Sequence, residues 1–423
     1  MRRSRVTVPI LIAIVAGLVL SPSMASSAPG PAPAPDRSAA LALSATDGTY
    51  GVRGSCNTRN VAKGVDGKAI VATISREATQ RDLTSVLFRV TKRGKLIASG
   101  AIGHNVTGVP LQQSVQFRNG NVAFGYLGIL LLKMAQAGQL NLDDPVGRWL
   151  PDLKLPNADT VTLRMLVRNT SGYPDYVTAQ PFVDAFLTNP FREFSLQQLL
   201  DYAFARKPLY TPGTAWSYAH TNYLLLSRAL EAAGGQPLGQ LMTNQVIKPM
   251  GLTNTKPVYT PEVPNPPLHT YSNERGQFEE TTFWNPSWQT ARGAVLATTI
   301  CDMVKSARAV GTGKLLTRPA FQTFISDDPV EHRPPPAGCP TNVCHQFPQD
   351  QHYALGVLVT NGWIIQNPLF AGQGGLHAYL PHQDLAIAIV TVAGPNSQPN
   401  VNDARGIWEV LTTKITATGV PPR

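Results

Sequence analysis

Two apolar rhythms divide this chain. From Ser85 the run Ser85-Val86-Leu87-Phe88-Arg89-Val90 is rich in β-branched and aromatic residues, the composition of a strand. A turn at Lys92-Arg93-Gly94-Lys95 leads into Leu96-Ile97-Ala98, which predicts a hairpin. From Val122 to Gln136 the spacing becomes helical, with Leu127, Leu130, Leu131 and Met134 in register and Ala137-Gly138 as the stop. That helix is apolar nearly all round, so it belongs in a core. Residues 140 to about 300 alternate short helices with Pro- and Gly-rich loops; Ser195–Ala203 and Asn222–Ala233 are examples, the second closed by Gly234-Gly235. Beyond Tyr353 the text returns to strands at Ala354–Val359, Leu376–Leu380 and Leu385–Val392, and Val401–Ile415 reads as a last amphipathic helix. Strands at both ends with helices between them predict an α+β fold. An antiparallel sheet, built from about 80–110 and 350–415, would be flanked by helices and carry an inserted helical region over about 120–300.

The start of the chain reads differently. Arg2, Arg3 and Arg5 precede an apolar run from Val8 to Leu20, and small residues follow up to Ala25. This is the pattern of a signal peptide over 1–25, cleaved after Ala25. The run of about 13 residues is short of the roughly 20 that a bilayer span requires, so no transmembrane span is expected after cleavage. Residues 26–48, rich in Ala, Pro and Ser, read as a tether, and 49–418 as one domain. The expected location is secreted or attached to the cell envelope.

The formal net charge of +10 changes the picture only in that setting. No run of five or more Lys or Arg occurs, so nucleic acid is not an expected partner. Anionic envelope polymers are. Four cysteines in an exported chain favour two disulfides. Cys339 and Cys344 bracket a short Pro-rich loop and form the favoured local pair, leaving Cys56 with Cys301. A metal site is the weaker alternative, because no paired C-x-x-C with His at ligand spacing is present. No cofactor or metal is expected.

Several words in fixed order resemble the class C β-lactamase and D-alanyl-D-alanine carboxypeptidase family of penicillin-binding-protein-like serine hydrolases. They are Phe117-Arg118-Asn119-Gly120 before the buried helix, then Gly138-Gln139-Leu140-Asn141-Leu142-Asp143-Asp144-Pro145-Val146 and Trp149-Leu150-Pro151. Thr162–Leu166, Asn169–Gly172, Pro212-Gly213 before Trp216-Ser217-Tyr218, Asn222–Leu225 and Lys248–Leu252 continue the series. The likeness runs collinearly from about Ser85 to about Leu411 and implies the β-lactamase/transpeptidase-like fold. It also implies that Asp143-Asp144 is a structural turn after the helix rather than an acid–base pair.

The resemblance implies a chemistry whose residues are missing. The family's nucleophilic Ser and its Lys base, one turn apart on the helix, fall on Asn121 and Phe124. Its Y-x-N word falls on Tyr218-Ala219-His220, and its K/H-T/S-G word on Gln373-Gly374-Gly375. An amide has no proton whose removal makes a nucleophile, and a phenyl ring accepts no proton. Only Tyr218 survives. No Ser is followed by Lys at the third position, no K-[ST]-G occurs and no G-x-S-x-G is present. Tyr271-Ser272-Asn273 matches Y-x-N but reads as a strand entering a turn.

The leading expectation is a catalytically degenerate, exported hydrolase relative. Its cleft would hold a cell-wall peptide, glycan or small acyl ligand around Asn121, Tyr218, His220, Gln373 and Gly374. Asn121 also suits a helix N-cap, and Phe124 suits the core volume of the absent Lys. Trp284 and Trp288 are placed either along a groove or in the core. The alternative is an active esterase or peptidase rewired around Tyr218 and His220, with Ser171 or Ser217 as hydroxyl. A third reading is an interaction protein whose cleft has closed.

Overall fold

The computed structural model describes Cys56 and residues 59–415. The expected signal peptide, the tether and the outermost residues of the expected domain lie outside the described residues. A short strand β1 (Val61–Ala62) precedes helix α1 (Gly64–Gln80), and β2 (Ser85–Lys92) and β3 (Lys95–Val106) form the expected hairpin. The helical region contains α2 (Val122–Gln136), α3 (Leu163–Arg168), α4 (Leu196–Phe204) and α5 (His220–Gly234). After α6 (Ile300–Gly311) come β4 (Gln351–Tyr353), β5 (Leu358–Thr360), β6 (Trp363–Gln366), β7 (Gln373–Leu380) and β8 (Leu385–Val392). Helix α7 (Asp403–Ile415) is last.

These strands make one antiparallel sheet in the order β1-β3-β2-β8-β7-β6-β5-β4, with short strands at 109–110 and 369–370 added to β3 and β7. The first and last thirds of the chain meet where β2 pairs with β8 in unbroken register from Ser85↔Val392 to Lys92↔Leu385. Every residue of β7 and β8 is buried, which requires helices on both faces. α6 packs on one, and α1 and α7 lie together over the other. Among the described residues no helix is long and apolar enough to cross a membrane.

Three local expectations are corrected. α1 precedes Ser85, where the pattern assigned nothing, because its apolar stripe is only Ile70, Ile74 and Ala78 among polar residues. The single strand expected over Ala354–Val359 is two strands, β4 and β5, separated by a turn. The cause is close packing: Gly356 has φ +87°, and a Cβ there would come 2.3 Å from the Phe124 carbonyl oxygen. The chain turns sharply at this point so that its backbone lies directly on α2. Finally, β6 is a strand the pattern missed, although Asn361-Gly362, both at positive φ, is the pair that favours a tight two-residue hairpin turn.

Cys56 is bonded to Cys301 and Cys339 to Cys344, with Cα separations of 5.6 and 6.1 Å. The first links Cys56, just before β1, to α6.

Two consequences follow for stability. Gly128 of α2 faces the same turn, and a Cβ would stand 2.0 Å from the Leu355 carbonyl oxygen. Gly128→Ala is expected to lower the unfolding free energy by about 1–3 kcal/mol, read as a lower urea midpoint at unchanged slope. His377 of β7 is buried, with Nε2 3.0 Å from the Ser306 hydroxyl of α6. Burial disfavours its imidazolium and moves its pKa from the ordinary 6.5 to about 4. The unfolded chain therefore takes up a proton in a window where the folded one does not, and stability falls as pH drops through it. Between pH 7 and 5 this histidine is expected to cost about 2 kcal/mol, a slope that His377→Gln should lack in paired urea titrations.

Candidate functional site

Where the helical region meets the sheet, residues from seven segments surround a cavity of about 40 Å³. That is room for about three waters. Its walls include Asn121, Tyr218, His220, Glu274, Trp288 and Phe370.

Asn121 immediately precedes α2, but its side chain makes no capping bond and its backbone sits at φ −71°, ψ 4° rather than in the extended geometry of a cap. The amide reaches across instead. Nδ2 donates to the Tyr218 hydroxyl at 3.4 Å, while Oδ1 is buried without a hydrogen-bond partner. The capping expectation is corrected on this geometry.

Phe124, one turn along α2, is buried and is not part of the cavity wall. Its ring lies parallel to that of Tyr223 on α5, with centroids 3.6 Å apart and an interplanar angle of 3°. The Tyr218 ring, tilted by 36°, and the His220 ring, near-perpendicular at 74°, stand beside it with centroids at 6.2 and 6.1 Å. An apolar ring thus stands behind the two polar residues of the second motif.

Tyr218 is held by the loop that ends α3. Asn169 takes the left-handed conformation there (φ 63°), and its Oδ1 accepts from the Ala219 N–H at 3.1 Å and from Asn222 Nδ2 at 2.9 Å. This fixes the segment between the strand Trp216–Ser217 and α5. Burial raises the Tyr218 pKa well above its ordinary 10, so the group remains a neutral hydroxyl at moderate pH. His220 opens α5 with Nδ1 2.9 Å from Asp175 Oδ2, and Asp175 Oδ1 also accepts from the Val177 N–H. In the tautomer with its proton on Nδ1, directed at the carboxylate, Nε2 on the other side of the ring is an acceptor.

Gln373 and Gly374 do not line this cavity. Gln373 is buried, and its Nε2 donates to the Arg118 carbonyl at 2.8 Å, while Gly374 pairs with Leu369 and Thr391. The short strand 369–370 folds back over the start of β7 and presents Phe370 to the cavity in their place. The hydroxyls considered for a rewired enzyme are also elsewhere. Ser171 donates to Asn222 Oδ1 at 2.6 Å and Ser217 lies 3.0 Å from the Tyr210 hydroxyl, both buried and outside the cavity wall.

The aromatic stretch divides. Trp288 reaches the cavity, whereas Trp284 packs into the core against Phe186 with ring centroids 5.5 Å apart. Asp143 pairs with Arg164, and Asp144 with Arg148 and the Trp149 indole N–H, the structural duty expected of that turn. Sequence reasoning missed Asp175, Glu274 and Gln289. The Tyr271-Ser272 strand does enter a turn, and the residue after its Asn273 is the cavity-lining Glu274. Glu274 is half-buried, and desolvation raises its carboxyl to about 7. Among the described residues no group of three or more His, Cys, Asp or Glu is placed to hold a metal ion.

Comparison with known proteins agrees with this architecture. Protein flp of Staphylococcus aureus (strain NCTC 8325 / PS 47) is 25% identical over 171 residues, covering 39% of this chain and 33% of its own length. PbpX of Bacillus subtilis (strain 168) is 24% identical over 242 residues, covering 56% of this chain and 57% of its own. The chain thus spans about a third of the first relative and little more than half of the second. Among solved structures, a D-stereospecific amidohydrolase from Streptomyces sp. superposes with a TM-score of 0.66 at 22% identity, covering 78% of this chain and 95% of that one. The profile of the Beta-lactamase family matches residues 61–412. Because that match runs from β1 into α7 and takes in the whole sheet with its helical region, the chain belongs to the Beta-lactamase family.

Proposed function

We propose that this chain is a catalytically degenerate member of its family, exported and retained near the envelope, that holds a small ligand without forming an acyl-enzyme. The observation that carries the reading is the environment of the helix start. Asn121 spends its amide N–H on Tyr218, and Phe124 is stacked into the core on Tyr223. Among the described residues lining the cavity there is no Ser, Thr, Cys or Lys. Acyl transfer needs a nucleophile with a base within hydrogen-bond reach. The His220–Asp175 pair has the form of an oriented base, but the hydroxyls proposed for it are committed to other partners. Export is supported by the Arg-led apolar segment and small residues up to Ala25. Attraction to anionic wall polymers or headgroups is supported by the formal net charge, +10 over the full sequence and +7 without Arg2, Arg3 and Arg5 of the expected signal peptide. A cavity of about 40 Å³ favours a small ligand, or one end of a wall peptide, over a bound glycan or peptide segment.

Purified protein incubated with a fluorescent penicillin is expected to remain unlabelled on a denaturing gel. Turnover of chromogenic esters and amides should stay at background for both wild type and His220→Ala. Turnover that His220→Ala abolishes would instead establish a rewired hydrolase. Phe124→Ala is expected to lower the unfolding free energy by about 3–5 kcal/mol, measured by urea denaturation, because the ring acts as core.

A further inference from the structure

The cavity has the chemistry of a cation site. Tyr218, Trp288, Phe370 and Phe186 contribute aromatic rings to its wall. Trp288 lies with its centroid 5.7 Å from that of Phe370 and 5.1 Å from that of Phe186. Ring faces carry negative potential and attract ammonium groups while disfavouring anions. The charged side chain among the described lining residues is a carboxyl, Glu274, and neither Lys nor Arg lines the cavity. A second carboxylate, Asp175, stands behind His220. Arg118 lies behind Phe370, 5.6 Å from its ring centroid, and donates to the Pro261 carbonyl rather than into the cavity.

The hydrogen-bonding groups agree in kind. Asn121 Oδ1 is a buried acceptor without a partner, His220 presents Nε2 as an acceptor, and Glu274 supplies carboxylate oxygens. A primary ammonium has three N–H donors, one for each. On the donor side, Gln289 Nε2 is buried without a partner and belongs to the same wall. It calls for an acceptor on the ligand beside the ammonium. A cavity of about 40 Å³ accommodates about three or four non-hydrogen atoms. We infer that the site binds a small primary ammonium compound carrying a neighbouring hydroxyl or carbonyl, with the ammonium between Asn121, His220 and Glu274. A negatively charged ligand would find neither Lys nor Arg among the described residues of the wall. This rests on the reading of the cavity as a noncovalent site.

The test is ligand-observed saturation-transfer NMR on the purified protein at pH 8.5, where Glu274, raised to about 7, is ionised and the amine is still protonated. The probes are ethanolamine, 1-propanol, propionate and choline. Ethanolamine is expected to give a saturable signal, while the alcohol and the acid give none and choline is excluded by its three methyl groups. Glu274→Gln should weaken ethanolamine binding by about tenfold or more, the scale of one charge-assisted hydrogen bond. Its unfolding midpoint at pH 8.5 should not fall, because the amide has no charge to desolvate. A saturable propionate or choline signal, a flat ethanolamine titration, or an unchanged affinity in Glu274→Gln would overturn the inference. Failure here is separable from failure of the degenerate-enzyme reading, which is decided by covalent labelling and turnover alone.

Discussion

Between the buried helix and the helix that follows Tyr218, the rings of Phe124 and Tyr223 lie parallel with centroids 3.6 Å apart. Much else in the site follows from that contact. A cation in the place of Phe124 would be drawn toward the Tyr218 hydroxyl and would keep the floor polar. The phenyl ring seals the floor, leaves Tyr218 desolvated with its pKa raised, and turns the space behind the second motif into core. The Asn121 amide then has the Tyr218 hydroxyl as its polar partner across the helix start.

With the floor closed, the remaining space is shaped by what folds over it. The turn at Ala371-Gly372 presses against the 271–280 hairpin: Thr281 Oγ1 donates to the Ala371 carbonyl at 2.7 Å, and a Cβ at Gly372 would meet the Tyr271 backbone at 1.7 Å. That packing places Phe370 and Glu274 at one rim, while the Asp175–His220 contact sets the other. The wall becomes aromatic and acidic, whereas a Lys or His at Gln373 would have offered a substrate carboxylate a cation. The change is one of electrostatic sign as well as of reactivity.

The sheet was largely legible in the sequence, because β2, β3, β7 and β8 carry long apolar runs whose type does not depend on distant contacts. The buried helix α2 was equally clear, with its left-handed stop at Gly138 (φ +70°). What escaped depended on tertiary contact. The break between β4 and β5 exists because Gly356 packs on the backbone of α2, which no local pattern expresses. Within the site, Asn121, Tyr218 and His220 are brought together, since all three belong to motifs whose spacing the fold fixes. Gln373 was assigned to the cavity on motif alignment, but the hairpin at 369–373 turns its side chain onto the Arg118 carbonyl. Asp175 had no signal, because it acts through His220, which is remote in sequence, and Glu274 had none, because only the fold brings its turn to the cavity wall.

The central claim concerns covalent reactivity at the start of α2. Its most direct test is the intact mass of the protein after prolonged exposure to saturating benzylpenicillin and to an activated acyl ester, followed by peptide mapping. The account predicts a mass unchanged from the untreated protein. A stoichiometric acyl increment mapped to residues 115–125 would contradict it.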